Sequence, residues 1–293
     1  MKFKHIHFIL NPAAGSEEPI LSAINKIFCD SGISWDISIT KKSGDAFKMA
    51  KARLGKTNLI AVYGGDGSLS EVAGALYNTA TPMAIIPGGT ANVMAKELGI
   101  PLDIAEALQL LKADSQIIKM DMGVVNKTPF LIRVNLGIMA DMILQADRKL
   151  KGTLGQLAYW VTAIQSLANA EPVKYKLTID GQKIAESCVS LTVTNSGSLG
   201  IGNFELLPGI RITDGLLDII LLNDTDIMSI LQVAGSTLIQ HDSDVLKHWK
   251  CREVIISLPK STPYICDDIE KKAKILRIKV VPKALKIVVP HHK

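Results

Sequence analysis

Directly after the apolar run Leu59 to Tyr63 the chain reads Gly64-Gly65-Asp66-Gly67-Ser68. Glycines lack Cβ atoms and permit positive φ, so phosphate oxygens can lie against main-chain N–H groups. Ser68 followed by Glu71 has capping-box spacing, which predicts a helix N-terminus, with its free N–H groups and positive dipole end, at this loop. Asp66 points to chemistry. A carboxylate inside an anion-attracting loop makes little sense there unless it holds Mg²⁺ or takes a proton. Read on its own, the segment is also an Asp-Gly turn.

Two further loops have the same character. Asn11-Pro12-Ala13-Ala14-Gly15 follows the first apolar run, and its compact side chains let backbone N–H groups approach a ligand that Asn11 can hydrogen-bond. A plain strand-to-helix turn explains it as well. Pro87-Gly88-Gly89-Thr90-Ala91-Asn92 follows Met83 to Ile86, with Thr90 either capping a helix or touching a nucleotide. Three such loops at strand ends converge along one edge of an open α/β sheet, where such sheets bind ligands. Other chemistries lack their motifs: there is no G-x-x-x-x-G-K-[ST], no G-x-G-x-x-G after the first strand, no H-E-x-x-H and no G-x-S-x-G.

The elements that would carry these loops follow from periodicity. Ile6 to Leu10, Ile37 to Ile39, Leu59 to Tyr63 and Met83 to Ile86 read as buried parallel strands. Ile20 to Cys29, Asp45 to Leu54, Leu69 to Tyr77, Ala91 to Leu98 and Ile104 to Lys112 read as the helices between them. Beyond about residue 121 the texture becomes antiparallel β: Phe130 to Leu136, Tyr175 to Ile179, Val189 to Thr194, Leu217 to Leu222, Val254 to Leu258, Ile275 to Val281 and Leu285 to Val289, with Asp180-Gly181 as a hairpin turn. Helical stretches are expected only near 154–169 and 226–239. The domains are therefore 1–122, an α/β domain with a parallel sheet and flanking helices, and 123–293, mainly an antiparallel β-sandwich, with the last strand a candidate to return to the first domain.

Length and composition agree with two compact domains. The 293 residues are 47% hydrophobic and 21% charged, with no low-complexity tract. The net charge of +5 is mild and its lysines and arginines are scattered, which fits an anionic partner but not a nucleic acid. Four cysteines without C-x-x-C spacing suit reduced thiols in a cytoplasm. Neither the N-terminal segment nor the uncharged run 152–170 reads as a signal peptide or a membrane span.

The ordered set N-P-x-x-G, G-G-D-G-S, P-G-G-T-A-N and Asp214-Gly215-Leu216-Leu217-Asp218, the last after a Phe204…Pro208 lead-in, resembles the soluble diacylglycerol kinase-like lipid kinase family, relatives of NAD kinases and 6-phosphofructokinases. The segment 154–159 resembles that family's linker into its second domain. The likeness implies an N-terminal nucleotide-binding domain, a lipid-receiving β-sandwich, and transfer of the ATP γ-phosphate to a lipid hydroxyl, diacylglycerol or a related lipid, with Mg²⁺. Carried over by motif, Asn11, Pro12, Ala13, Ala14, Gly15, Thr40, Gly65, Asp66, Gly67, Ser68, Leu69, Ser70, Glu71 and Thr90 would contact ATP. Asp214 would bind a structural Mg²⁺ beside the carbonyls of Arg211 and Leu216.

The family's catalytic D-G-E near the C-terminus is altered here to Cys266-Asp267-Asp268-Ile269-Glu270. In the preferred register Asp268 and Glu270 are the two acids and Ile269 replaces glycine. In the other, Asp267 is retained and Ile269 replaces the glutamate. Asp66 is a second candidate proton acceptor. Ser16-Glu17-Glu18 supply no cation for phosphate, a gap that Lys41, Lys42 or Arg133 could fill. Expected with the kinase are a cytoplasmic location with transient docking on a membrane surface, and a homodimer is left open. The alternatives are a catalytically weak nucleotide- or lipid-binding sensor and an NAD kinase.

Overall fold

A computed structural model describes residues 3–15, 19–112, 115–137, 172–198, 207–223 and 246–291. They divide into two compact units. The first comprises Met1–Met122 with Pro282–Lys293, and the second comprises Gly123–Val281.

In the first unit the order is β1 (His5–Leu10), α1 (Ile20–Phe28), β2 (Ser34–Ile39), α2 (Asp45–Arg53), β3 (Leu59–Gly64), α3 (Asp66–Leu76), β4 (Met83–Pro87), α4 (Val93–Glu97) and α5 (Ile104–Gln109). Strands β4, β3, β1 and β2 lie side by side and parallel, with Leu10 level with both Ile39 and Tyr63, and Gly64 level with Pro87. Strands β3 and β4 are buried along their whole length, as a parallel sheet covered on both faces requires, hence their unbroken apolar runs. Helix α3 packs Leu69, Val72, Ala73 and Leu76 inward. Two further strands, β5 (Ser115–Val125) and β14 (Ile269–Pro290), pair with each other, and β14 runs parallel to β4 through Ile287 and Met83.

Within this core His7 is fully buried, with Nδ1 on the Asp36 carboxylate and Nε2 3.0 Å from Ser38 Oγ. Burial holds the imidazole below its ordinary value of 6.5, more than the neighbouring Asp36 carboxylate raises it. A His whose folded pKa is depressed is protonated more readily in the unfolded chain, so stability is full above about pH 6.5 and falls as pH drops below it. Urea midpoints should therefore fall from pH 7.5 to 5.5, and His7→Gln should flatten that dependence. An unchanged slope in the variant would assign the loss to other groups.

The second unit is antiparallel. It contains the end of β5, then β6 (Thr128–Phe130), β7 (Arg133–Gly137), β8 (Val173–Ile179), β9 (Gln182–Cys188), β10 (Ser190–Thr194), β11 (Leu217–Leu222), β12 (Leu246–Cys251), β13 (Glu253–Cys266) and the first part of β14. Strands β12, β11, β10, β7 and β13 are successive neighbours, and β13 also pairs with β8 and β14. The core contains Val134, Leu136, Tyr175, Leu191, Val193, Leu217, Ile219, Val254, Ile256 and Ile278. This is the expected antiparallel β-sandwich, following an α/β unit in the chain. The Asp180-Gly181 hairpin turn forms as expected, joining Ile179 to Gln182. Cys188, Cys251 and Cys266 are buried here as free thiols, and burial pushes each up to about 12, so they are unreactive at neutral pH.

Several element boundaries differ from the sequence reading, with β2 starting at Ser34 instead of Ile37 and β13 running on to Cys266 instead of ending at Leu258, and three further differences bear on the residues discussed below. The run Phe130 to Leu136 is two strands, because the N–H groups of Leu131, Ile132 and Arg133 all turn to the Asp267 carboxylate. The runs Ile275 to Val281 and Leu285 to Val289 are one strand, β14. It passes through positive φ at Lys283, whose N–H goes to Asp121 Oδ1 at 2.7 Å instead of to a neighbouring strand. Helix α3 begins at Asp66, three residues earlier than expected, which places Ser68 inside the first turn. The helical stretches near 154–169 and 226–239 lie outside the described residues. Among the described residues no helix is long and apolar enough to cross a membrane.

Candidate active site

The parallel strands end together. Asn11 follows β1, Thr40 follows β2, Gly65 follows β3 and Gly88 follows β4, so the loops singled out in the sequence meet at the C-terminal edge of one sheet. They are tied to each other by short bonds. Asn11 donates from Nδ2 to Ser68 Oγ at 3.0 Å and accepts the Ala13 N–H on Oδ1 at 3.0 Å. The Tyr63 hydroxyl donates to the Ala14 carbonyl, and the buried Thr40 donates to the Leu10 carbonyl. Asn92, at positive φ, locks the third loop by accepting the Gly89 N–H at 2.9 Å and donating to the Gly89 carbonyl at 2.7 Å. Asn92 was not among the residues expected from sequence. The available signal was the residue type, an asparagine closing a Gly-Gly loop, since asparagine tolerates left-handed φ better than most residues.

Glycine is required where two loops touch. A Cβ on Gly89 would lie 2.6 Å from the Gly65 Cα, a backbone atom that cannot swing aside. The two glycines thus pack the second loop against the third, a role separate from any approach of phosphate. Pro12, Ala13, Gly15 and Thr90 are exposed along the same edge, leaving the main chain accessible around them.

Two carboxylates in this region, Asp66 and Glu71, serve as caps between helices. Helix α4 has no side-chain cap of its own, and the Asp66 carboxylate accepts the N–H groups of Val93 at 3.2 Å and Met94 at 3.4 Å. Asp66 thereby pins the third loop to the second. Helix α2 likewise has no side-chain cap of its own, its N-cap position being Gly44. Glu71 supplies it: Oε1 accepts the Gly44 N–H at 2.6 Å and the Ser43 hydroxyl at 3.1 Å, and Oε2 accepts the Ala46 N–H at 3.1 Å. The expected pairing of Ser68 with Glu71 within one helix is replaced by this longer reach. Glu71→Ala should therefore lower stability by about 1.5–3 kcal/mol, with Glu71→Gln intermediate, read from urea unfolding. A stable Glu71→Ala variant with weakened ATP binding would instead make Glu71 a nucleotide contact. Leu69 is buried in the helix core, whereas Gly67, Ser68 and Ser70 are half-buried in its first turns. Lys41 and Lys42 are exposed beside Thr40, with their backbone N–H groups on Asp45.

The remaining expected residues belong to the second unit. Asp267 and Asp268 form a two-residue turn between β13 and β14, with Cys266 opposite Ile269 and Ile265 opposite Glu270. Asp267 adopts positive φ and is buried, its carboxylate accepting N–H groups from Leu131 at 2.9 Å, Ile132 at 2.9 Å and Arg133 at 3.0 Å. Asp268, Ile269 and Glu270 are exposed. Arg133 is buried, and its guanidinium donates to the Ser198 carbonyl. Asp214, on the loop entering β11, accepts the Leu216 N–H on Oδ1 at 3.1 Å and the Lys250 ammonium on Oδ2 at 3.0 Å. With an ammonium already on that oxygen, these residues do not suit a bound Mg²⁺. Arg211 is exposed nearby.

A parallel α/β unit with glycine loops gathered around a carboxylate, followed by an antiparallel β-sandwich, is the build of a phosphoryl-transfer enzyme. The family model described as "Diacylglycerol kinase catalytic domain" matches residues 5–125, and that described as "YegS C-terminal NAD kinase beta sandwich-like domain" matches residues 133–289. The chain is 30% identical to a Bacillus subtilis protein named diacylglycerol kinase, over 80% of this chain and 79% of that protein. It is 32% identical to a Pseudomonas putida protein named "Probable lipid kinase YegS-like", over 76% of this chain and 75% of that protein. A crystal structure of a diacylglycerol kinase from Bacillus anthracis superposes with a TM-score of 0.80 at 25% identity, covering 99% of this chain and 98% of that one. The chain belongs to the diacylglycerol kinase-like family and is a lipid kinase by class.

Proposed function

We propose that this kinase transfers the γ-phosphate of ATP to the hydroxyl of diacylglycerol or a closely related lipid, with Mg²⁺ accompanying the nucleotide. The observation that carries this reading is the meeting of Asn11, Thr40, the Gly65–Asp66 loop and Thr90 at one sheet edge, with a fixed carboxylate among exposed small residues. In the Asn11 to Gly15 segment the N–H groups of Asn11, Ala13 and Ala14 are bonded within the fold and Pro12 has none, so Gly15 and the first turn of α3 would offer the N–H groups to the triphosphate, with Thr40 and Thr90 flanking it. Glu71 is spent on α2, which leaves Asp66 as the acid that would meet Mg²⁺ at this edge; its oxygens accept neutral N–H groups, and a carboxylate oxygen that accepts an N–H can still ligate a cation. When bound, the ion would neutralise charge on the transferring phosphoryl group, while Asp66 would hold it in place. The protein would work in the cytoplasm and dock transiently on a membrane surface to reach the lipid, as mild basicity and substrate class suggest.

The test is phosphorylation from radiolabelled ATP of diacylglycerol, phosphatidylglycerol and sphingoid bases in mixed micelles with Mg²⁺. A labelled diacylglycerol product supports the proposal, whereas labelling confined to another lipid would replace the substrate and absence of labelling would oppose the activity. One observation favours a second reading, a weakly catalytic sensor of nucleotide or lipid. Asp267 is committed to three backbone N–H groups, and the next position beyond the turn is the apolar Ile269. ATP binding without turnover on any lipid would favour it.

A further inference from the structure

The segment Asp214-Gly215-Leu216-Leu217-Asp218 has both of its acids occupied by side chains of β12. Asp214 accepts the Lys250 ammonium on Oδ2 at 3.0 Å, and the same Lys250 nitrogen lies 3.3 Å from the Gly209 carbonyl. Asp218, level with Lys250 in the β11–β12 ladder, is buried and has Oδ1 2.6 Å from His248 Nε2. Gly209 and Gly215 both take positive φ, which curls the loop so that its oxygens face the ammonium.

One carboxylate oxygen and one backbone carbonyl converging from a glycine-containing loop are hard oxygen ligands of the kind that hold Mg²⁺ or Ca²⁺. Here they converge on an ammonium, which carries its own charge and needs no ion from solution. A divalent cation on Asp214 Oδ2 would lie beside that ammonium, and the like-charge repulsion opposes its binding. We infer that Lys250 is a built-in cation that fixes the 207–216 loop in place of a metal ion, so the fold of this unit does not depend on Mg²⁺. This inference stands whether or not the substrate assignment above is right.

The test measures melting temperature without nucleotide, in excess EDTA and in millimolar MgCl₂, for wild type, Lys250→Met, Lys250→Arg and Asp214→Asn. The part of any Mg²⁺ response that disappears when Asp214→Asn is added is the quantity read. Wild type and Lys250→Arg should have no such part. Lys250→Met should melt about 1–4 °C lower in EDTA, as loss of a partly exposed ion pair implies, and regain the loss in MgCl₂ through Asp214. An Asp214-dependent Mg²⁺ response in wild type would overturn the inference. So would a Lys250→Met variant that melts like wild type in EDTA, or one whose loss Mg²⁺ does not repair.

Discussion

Asp66→Asn is expected to lower lipid phosphorylation by about 10²–10⁴-fold, the range lost when a positioned catalytic group or charge stabiliser is removed. The same change should leave the fold nearly intact. Asparagine keeps one acceptor oxygen for the Val93 and Met94 N–H groups, so the α4 cap is weakened without being deleted, a cost of about 1 kcal/mol or less. Asp66→Ala removes both oxygens, adding a stability loss of up to about 2 kcal/mol to the lost activity. The pair separates two roles that the geometry superimposes: a carboxylate that handles charge during transfer, and one that pins two loops together. Turnover is read from labelled lipid and stability from urea unfolding. Normal turnover in Asp66→Asn would leave the cap as the residue's whole role and remove it from the chemistry.

The sheet and its loops were legible because their signals are local. Unbroken apolar runs such as Leu59 to Tyr63 mark strands buried on both faces, and glycines directly after them mark sharp exits at the strand ends. Asp180-Gly181 was readable for the same reason, since a two-residue turn writes its φ requirement into adjacent residues. What the sequence did not reveal is where side chains reach across the fold. Ser68 and Glu71 have the spacing of a local cap, yet Glu71 caps α2 because helix α3 starts at Asp66 and brings Glu71 against Gly44. No spacing rule links residues 44 and 71, or 66 and 93. The break between β6 and β7 was hidden for a related reason. Apolar residues continue through Leu131 and Ile132, but their N–H groups are claimed by an aspartate more than a hundred positions away. Lys250 carried no motif at all and is found only through the register of β11 and β12.

That distant aspartate sets the last expectation. Asp267→Ala should destabilise the protein by about 3–5 kcal/mol, because three N–H groups around the β6–β7 break lose an ionised acceptor in a buried setting. Asp267→Asn, retaining one oxygen, should lose less. If Asp267 were instead the proton acceptor in transfer, Asp267→Asn would keep its urea midpoint and lose turnover. The turn also bears on which residue follows the altered D-G-E. Asp267 and Asp268 fill the two loop positions, and in the register that retains Asp267 the glutamate position is Ile269, which is 50% exposed at the start of β14. Ile269→Glu is then expected to raise turnover, by up to about 10²-fold if a general base is otherwise missing, without a change in ATP affinity. Glu270→Gln discriminates the registers, since its side chain leaves the strand on the face opposite that of residue 269. Turnover unchanged in Glu270→Gln and raised in Ile269→Glu would make this an enzyme working without its family's final carboxylate. A collapse in Glu270→Gln would return the base to Glu270.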